Sequence, residues 1–125
     1  MKTKDFSGIR TQQKLPHPTE VDVPADAMDL MRDYIDSTSS LLEELEAMAL
    51  KYESGIDKNE SSAVIKRILH KLKGEASIMG LDDISELCHQ TEFAFEEMPD
   101  TKKADMLLRM KDWLRSAIEY FSVKI

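Results

Sequence analysis

Ile65-Lys66-Arg67-Ile68-Leu69-His70-Lys71-Leu72-Lys73-Gly74-Glu75-Ala76-Ser77-Ile78-Met79-Gly80 decides the fold of this 125-residue chain. Apolar residues recur at Ile65, Ile68, Leu69, Leu72, Ala76 and Met79, the three-and-four spacing of an amphipathic helix. On a wheel of about 100° per residue with Ile65 at zero, that stripe centres at about 345°. His70 falls at about 140°, with Lys73 at about 80°, Ser77 at about 120° and Gly74 at about 180°. One face of the helix is core. The other presents a histidine, a lysine one turn later and a glycine that leaves a bare spot beside the imidazole.

The same periodicity extends to both sides. A first helix is expected from Pro24 or Ala25 to Gly55, carrying Ala27, Leu30, Met31, Tyr34, Leu41, Leu42, Leu45, Ala49 and Tyr52 on one stripe. The polar run Asp36-Ser37-Thr38-Ser39-Ser40 does not break its phase. Asp57-Lys58-Asn59-Glu60 has capping-box spacing and opens the second helix, the one quoted above, which Gly80 stops. Asp83-Ile84-Ser85-Glu86 repeats the capping signal for a third helix burying Ile84, Leu87, Cys88, Thr91 and Phe95. Pro99 ends it, and Asp100 or Thr101 can cap a fourth helix with Leu107, Met110, Leu114, Ala117, Ile118 and Phe121 inward and Trp113 at the edge of the stripe. Short connections make neighbouring helices antiparallel. The expectation is an all-α protein, an antiparallel four-helix bundle over residues 25–125. Residues 1–24, with three of the four prolines, form an irregular arm, extended or mobile. Phe6, Ile9 and Leu15 are the residues able to pin it.

Composition bounds the function. The chain is 42% hydrophobic with a net charge of −7, enough to build a core and too acidic for a nucleic-acid or anionic-membrane binder. Its single cysteine, Cys88, excludes an internal disulfide and falls on the core face. No apolar run has the roughly 18 residues of a membrane span, and the N-terminus lacks a signal-peptide core. A cytoplasmic protein, monomeric and not inserted in a membrane, is expected.

The third helix adds a second cluster. With Ile84 at zero, its core lies at about 350°, His89 at about 140° and Glu92 at about 80°. His70 is ten residues before Gly80 and His89 nine after it. In an antiparallel hairpin both lie roughly 15 Å from the turn, at 1.5 Å per residue. A surface group of His70, Lys73, His89 and Glu92 follows. A neutral imidazole is a nucleophile. A carboxylate that accepts its Nδ1–H leaves Nε2 free to attack phosphorus. A lysine supplies charge for phosphoryl oxygens, and Gly74 lets a partner approach. The rival chemistry, a zinc site of His70, His89 and Glu92, has no tight ligand spacing beyond His89–Glu92 and would place Lys73 against a cation; no metal is expected. Phe93 and Ile78, with Ser77, form a candidate docking patch around the histidine face. His17, between two prolines, is expected to be inert.

The pattern His70-x-x-Lys73-Gly74, followed by Ala76 and Gly80, resembles the signature of histidine phosphotransfer (HPt) domains, four-helix bundles of two-component and phosphorelay signalling. Over Ala63–Met98 it is most similar to the N-terminal phosphotransfer domain of chemotaxis-type histidine kinases. The resemblance implies His70 as phospho-acceptor, assisted by Lys73, with His89 and Glu92 completing its hydrogen-bonding network and Gly74 and Gly80 as close-approach glycines. It implies a phosphoryl carrier that is not itself an enzyme. It has no cofactor of its own, and Mg2+ is expected on the partner. Those partners are a histidine kinase and the receiver domain of a response regulator. No kinase catalytic domain follows in these residues, and a separate donor is expected. Glu75 departs from the pattern, where a small residue is usual, and is expected to add negative charge near the phosphorylated face. The alternative is a bundle that docks on a kinase or receiver as an adaptor or inhibitor without carrying phosphate.

Overall fold

The computed structural model describes residues 3–124, and they are helical throughout apart from turns and the N-terminal segment. Four long helices carry the fold: α2 (Met31–Ser54), α3 (Lys58–Ile78), α4 (Asp82–Glu97) and α5 (Asp100–Lys124). A four-residue α1 (Gly8–Thr11) precedes them. Helix α2 packs against α3 and α5, and α4 packs against the same two, which closes a ring around one core. Side-chain pairs across the seams show the directions. Ser77 meets Ser85, His70 approaches Glu92, and Lys66 meets Glu96, so residue numbers fall along α3 as they rise along α4. Tyr52–Asp100 and Glu46–Lys111 show the same reversal between α2 and α5.

The apolar stripes become the core. From α3, Ile65, Ile68, Leu69, Leu72 and Ala76 are buried; from α4, Ile84, Leu87, Cys88 and Phe95; from α5, Leu107, Met110, Leu114, Ala117, Ile118 and Phe121. Each fully buried large side chain contributes on the order of 1.5–3 kcal/mol. Leu30, expected inside, is 57% exposed. It ends a 3-10 segment, Ala25–Leu30, whose tighter winding breaks the α-helical phase on which that expectation rested. Within the polar run of α2, Ser37 Oγ donates to Glu75 Oε1 at 2.7 Å and Arg115 reaches Ser39 Oγ at 3.4 Å, while Thr38 is buried with its hydroxyl oxygen unpartnered.

Two capping signals do other work. Asp57 sits at the N-cap of α3 with φ 48° and makes no side-chain cap bond. In that left-handed conformation its carboxylate turns toward Lys51, 3.8 Å away. Asp83 is a buried residue inside the first turn of α4, not its cap. Its Oδ1 accepts from the Lys4 backbone N–H at 3.0 Å, and its Oδ2 accepts from the Asp22 N–H and the Lys4 ammonium, both at 3.2 Å.

Asp83 is one of several ties on the segment before α2, which is packed rather than extended throughout. Phe6 and Ile9 are 1% exposed, and the Phe6 ring meets Trp113 edge-on at 5.2 Å. Trp113 Nε1–H donates to the Pro16 carbonyl at 2.7 Å, and Arg109 donates to the carbonyls of Gly8 and Gln13. Trp113 is therefore buried between α5 and the arm rather than at the edge of the stripe. Met1, Lys2 and Ile125 lie outside the described residues.

Candidate functional site

The α3–α4 hairpin places the site. Its turn is a complete helix-ending motif: Gly80 N–H donates to Ser77 O at 3.0 Å and Leu81 N–H to Ala76 O at 2.9 Å. Gly80 has φ 72°, and a Cβ there would stand 3.1 Å from Pro24 Cγ. Its glycine is needed by this turn and by the arm. Gly74 is the opposite case. It is exposed in the interior of α3, and a Cβ built on it would meet nothing within 4 Å. Nothing in the fold requires glycine there.

His70 projects from α3 with its side chain 77% exposed. Its Nδ1 lies 3.8 Å from Glu92 Oε2. That is too long for a hydrogen bond, and is an electrostatic approach between ring and carboxylate. Lys73 Nζ lies 2.5 Å from Glu92 Oε1, a half-buried ion pair. That oxygen is itself buried, and the Lys73 ammonium is the charge that meets it. Glu92 thus bridges His70 and Lys73 across the two helices.

His89 reaches the same face but not the same carboxylate. Among the described residues no hydrogen bond or ion pair joins it to Glu92 or His70. Its ring packs edge-on against Phe93 at 4.8 Å. The partner of Glu92 is Lys73, because the lysine on the facing helix reaches the carboxylate more directly than the histidine one turn back on the same helix. His89 and Lys73 instead form the rim of a groove of about 340 Å³ between α3 and α4, floored by Leu69 and Phe95 and flanked by Phe93 and Lys66. No group of three or more His, Cys, Asp or Glu side chains among the described residues is placed to hold a metal ion.

The docking candidates separate. Ile78 is 84% exposed. Ser77 shares a 2.8 Å hydrogen bond with Ser85. Phe93 is half-exposed, with the Arg10 guanidinium 5.5 Å from its ring centroid. Arg10 in turn pairs with Glu97 at 2.8 Å. Glu75 does not add charge to the His70 face: it points to α2, where Ser37 binds it. Beneath the site, Cys88 is fully buried, and burial pushes its thiol well above the ordinary range. Asp83 carries a local capping signal, yet its partners Lys4 and Asp22 are far away in sequence.

Residues 29–120 match the family described as Hpt domain. That is most of the chain, which therefore belongs to the Hpt domain family, the class that performs histidine phosphotransfer in two-component phosphorelays. No curated protein and no solved structure matches the chain. The segment that carries Lys4, Phe6 and Arg10 precedes the matched residues. No helix among the described residues is long and apolar enough to cross a membrane.

Proposed function

We propose that the protein carries a phosphoryl group on His70 Nε2. It receives the group from a histidine kinase or a phosphorylated receiver domain and passes it to an aspartate of a response-regulator receiver. The observation that carries the assignment is the exposure of His70 on α3, its Nδ1 facing Glu92 and the open surface of Gly74 one turn away. His89, the other histidine within the family match, has its ring packed on Phe93.

In the neutral imidazole, Nδ1 holds the proton and the Nε2 lone pair attacks phosphorus. The N–P bond forms as the donor's bond to phosphorus breaks, and the donor keeps that electron pair. The ring is then cationic, and Glu92 faces its Nδ1–H. Transfer to the receiver reverses this: the carboxylate oxygen bonds to phosphorus, and Nε2 takes back the N–P electrons as a neutral ring. No net proton is needed. Lys73 places positive charge beside the phosphoryl oxygens, and Glu92 sets its position. Mg2+ and most of the catalytic groups belong to the partner. The chain is a covalent carrier rather than an enzyme and works in the cytoplasm. The presence of His89 and Glu92 on α4 favours the chemotaxis-type branch, although the His89 ring packs on Phe93 and Lys73 is the group that meets Glu92.

The test is phosphotransfer profiling. Incubated with active kinases and phosphorylated receivers, the wild type should acquire an acid-labile, alkali-stable phosphate. His70→Gln should not, and His89→Gln should retain it. Equal labelling of His70→Gln would refute the assignment.

A further inference from the structure

Helix α3 is the most positively charged of the four long helices, with α5 next at two net positive charges. Helix α3 carries five cations (Lys58, Lys66, Arg67, Lys71 and Lys73) and two carboxylates (Glu60 and Glu75). Its net charge is three positive, in a chain of net −7, so the remainder carries ten net negative charges. Three of the five cations are already matched: Lys58 by Asp100 at 3.0 Å, Lys66 by Glu96 at 2.9 Å and Lys73 by Glu92 at 2.5 Å. Arg67 and Lys71 make no ion pair among the described residues, and both are exposed. Arg67 lies one turn before His70 and Lys71 immediately after it. Both sit on the side of the helix that Gly74 leaves bare.

We infer that Arg67 and Lys71 form an electrostatic steering patch that draws the acidic phospho-acceptor face of a receiver domain onto His70. The inference rests on His70 being the phosphoryl carrier. A phosphoryl group brings roughly two negative charges. Lys73 lies beside that group but is itself paired with Glu92, so without Arg67 and Lys71 the phosphorylated site would stay net anionic on an acidic protein. The acceptor is a carboxylate, and anion must approach anion. Two uncompensated cations within about one Debye length, ~8–10 Å, reverse the sign of that encounter. Their exposure suits steering rather than chemistry. They are free to follow the incoming surface, and each is one side chain removed from the reacting nitrogen. The occupant is a receiver domain and not a nucleic acid, because the ten net negative charges elsewhere would repel a long polyanion.

The experiment uses the full chain, phosphorylated on His70, and the receiver domain that accepts best in the profiling above. The initial rate is followed over rising salt and rising receiver concentration. For wild type, kcat/KM should fall about tenfold or more between low and high salt. Arg67→Glu with Lys71→Glu should lower kcat/KM at low salt by about tenfold or more and flatten the salt dependence, while the rate at saturating receiver stays within about twofold. Arg67→Lys should behave as wild type. Circular dichroism melts should be unchanged, since neither side chain has a partner to lose. A wild-type rate that ignores salt, or a charge-reversed variant that keeps the wild-type kcat/KM, overturns the inference while leaving His70 as carrier. A loss confined to the saturated rate also overturns it, by making the pair catalytic. If no receiver accepts phosphate from the wild type, the carrier reading itself fails, and this inference with it.

Discussion

Replacing Gly74 by alanine should make the bundle more stable and its phosphoryl transfer slower. Gly74 lies in the interior of α3 with no neighbour within 4 Å of an added Cβ, so alanine costs no clash. Glycine in a helix interior is about 0.8–1 kcal/mol less favourable than alanine, because the unfolded chain is freer and the backbone more exposed. The gain should therefore be ~1 kcal/mol, a rise in Tm of about 3–6 °C for a domain of this size. The bare surface beside His70 is then lost to the partner. A methyl group that displaces the donor or acceptor by ~1 Å can cost up to about a hundredfold in rate. Gly74→Gln, with a longer side chain, should be slower still while melting no lower than wild type. Thermal melts and single-turnover transfer from labelled protein measure the two effects on one sample. A lower Tm for Gly74→Ala would show that the helix needs glycine for its own packing. Transfer by Gly74→Gln at the wild-type rate would refute the close-approach reading.

Two further predictions concern the fold. Asp83→Ala strands the Lys4 and Asp22 amides and the Lys4 ammonium, and should cost roughly 2–4 kcal/mol in urea unfolding; limited proteolysis should cut the segment before Val21 first, and unchanged proteolysis would count against Asp83 as its anchor. Asp100 is held below the usual carboxylate value of 3.8, first by the Lys58 ammonium and then by the Tyr52 hydroxyl. Its folded pKa is depressed, so the unfolded chain binds the proton more readily in acid, and the stability Asp100 contributes is present above about pH 4 and lost as pH falls through the lower folded value. Urea titrations of wild type and Asp100→Asn should therefore differ at neutral pH and converge below that range; a constant gap at all pH values would mean the pairing carries none of it.

Much of the molecule is legible without coordinates. Helix α3 follows from six apolar residues at three-and-four spacing, and its exposed face, with His70, Lys73 and Gly74 together, follows from the same wheel. Burial is roughly additive along a periodic stripe, so the core of α3, α4 and α5 is readable too. Leu30 escaped because a 3-10 segment winds at three residues per turn and shifts the phase.

What tertiary structure alone decided is how each helix is rotated against its neighbours and which polar groups then meet. A wheel gives an angle about one axis and no distance to another. It put His89 and Glu92 on one face, but only packing shows that Glu92 closes on Lys73 at 2.5 Å while His89 lies against Phe93. Glu75 was expected to charge the site, yet the same wheel sets it at about 280°, well away from His70, and packing pairs it with Ser37 on α2. Asp83 carried a local capping signal, yet the amides of Lys4 and Asp22 claimed its carboxylate, because a buried charge must be satisfied from wherever the chain brings donors. Gly80 and Gly74 were both expected to admit a partner. One is bound by a left-handed turn beside Pro24, and the other faces open space, where a partner can come close.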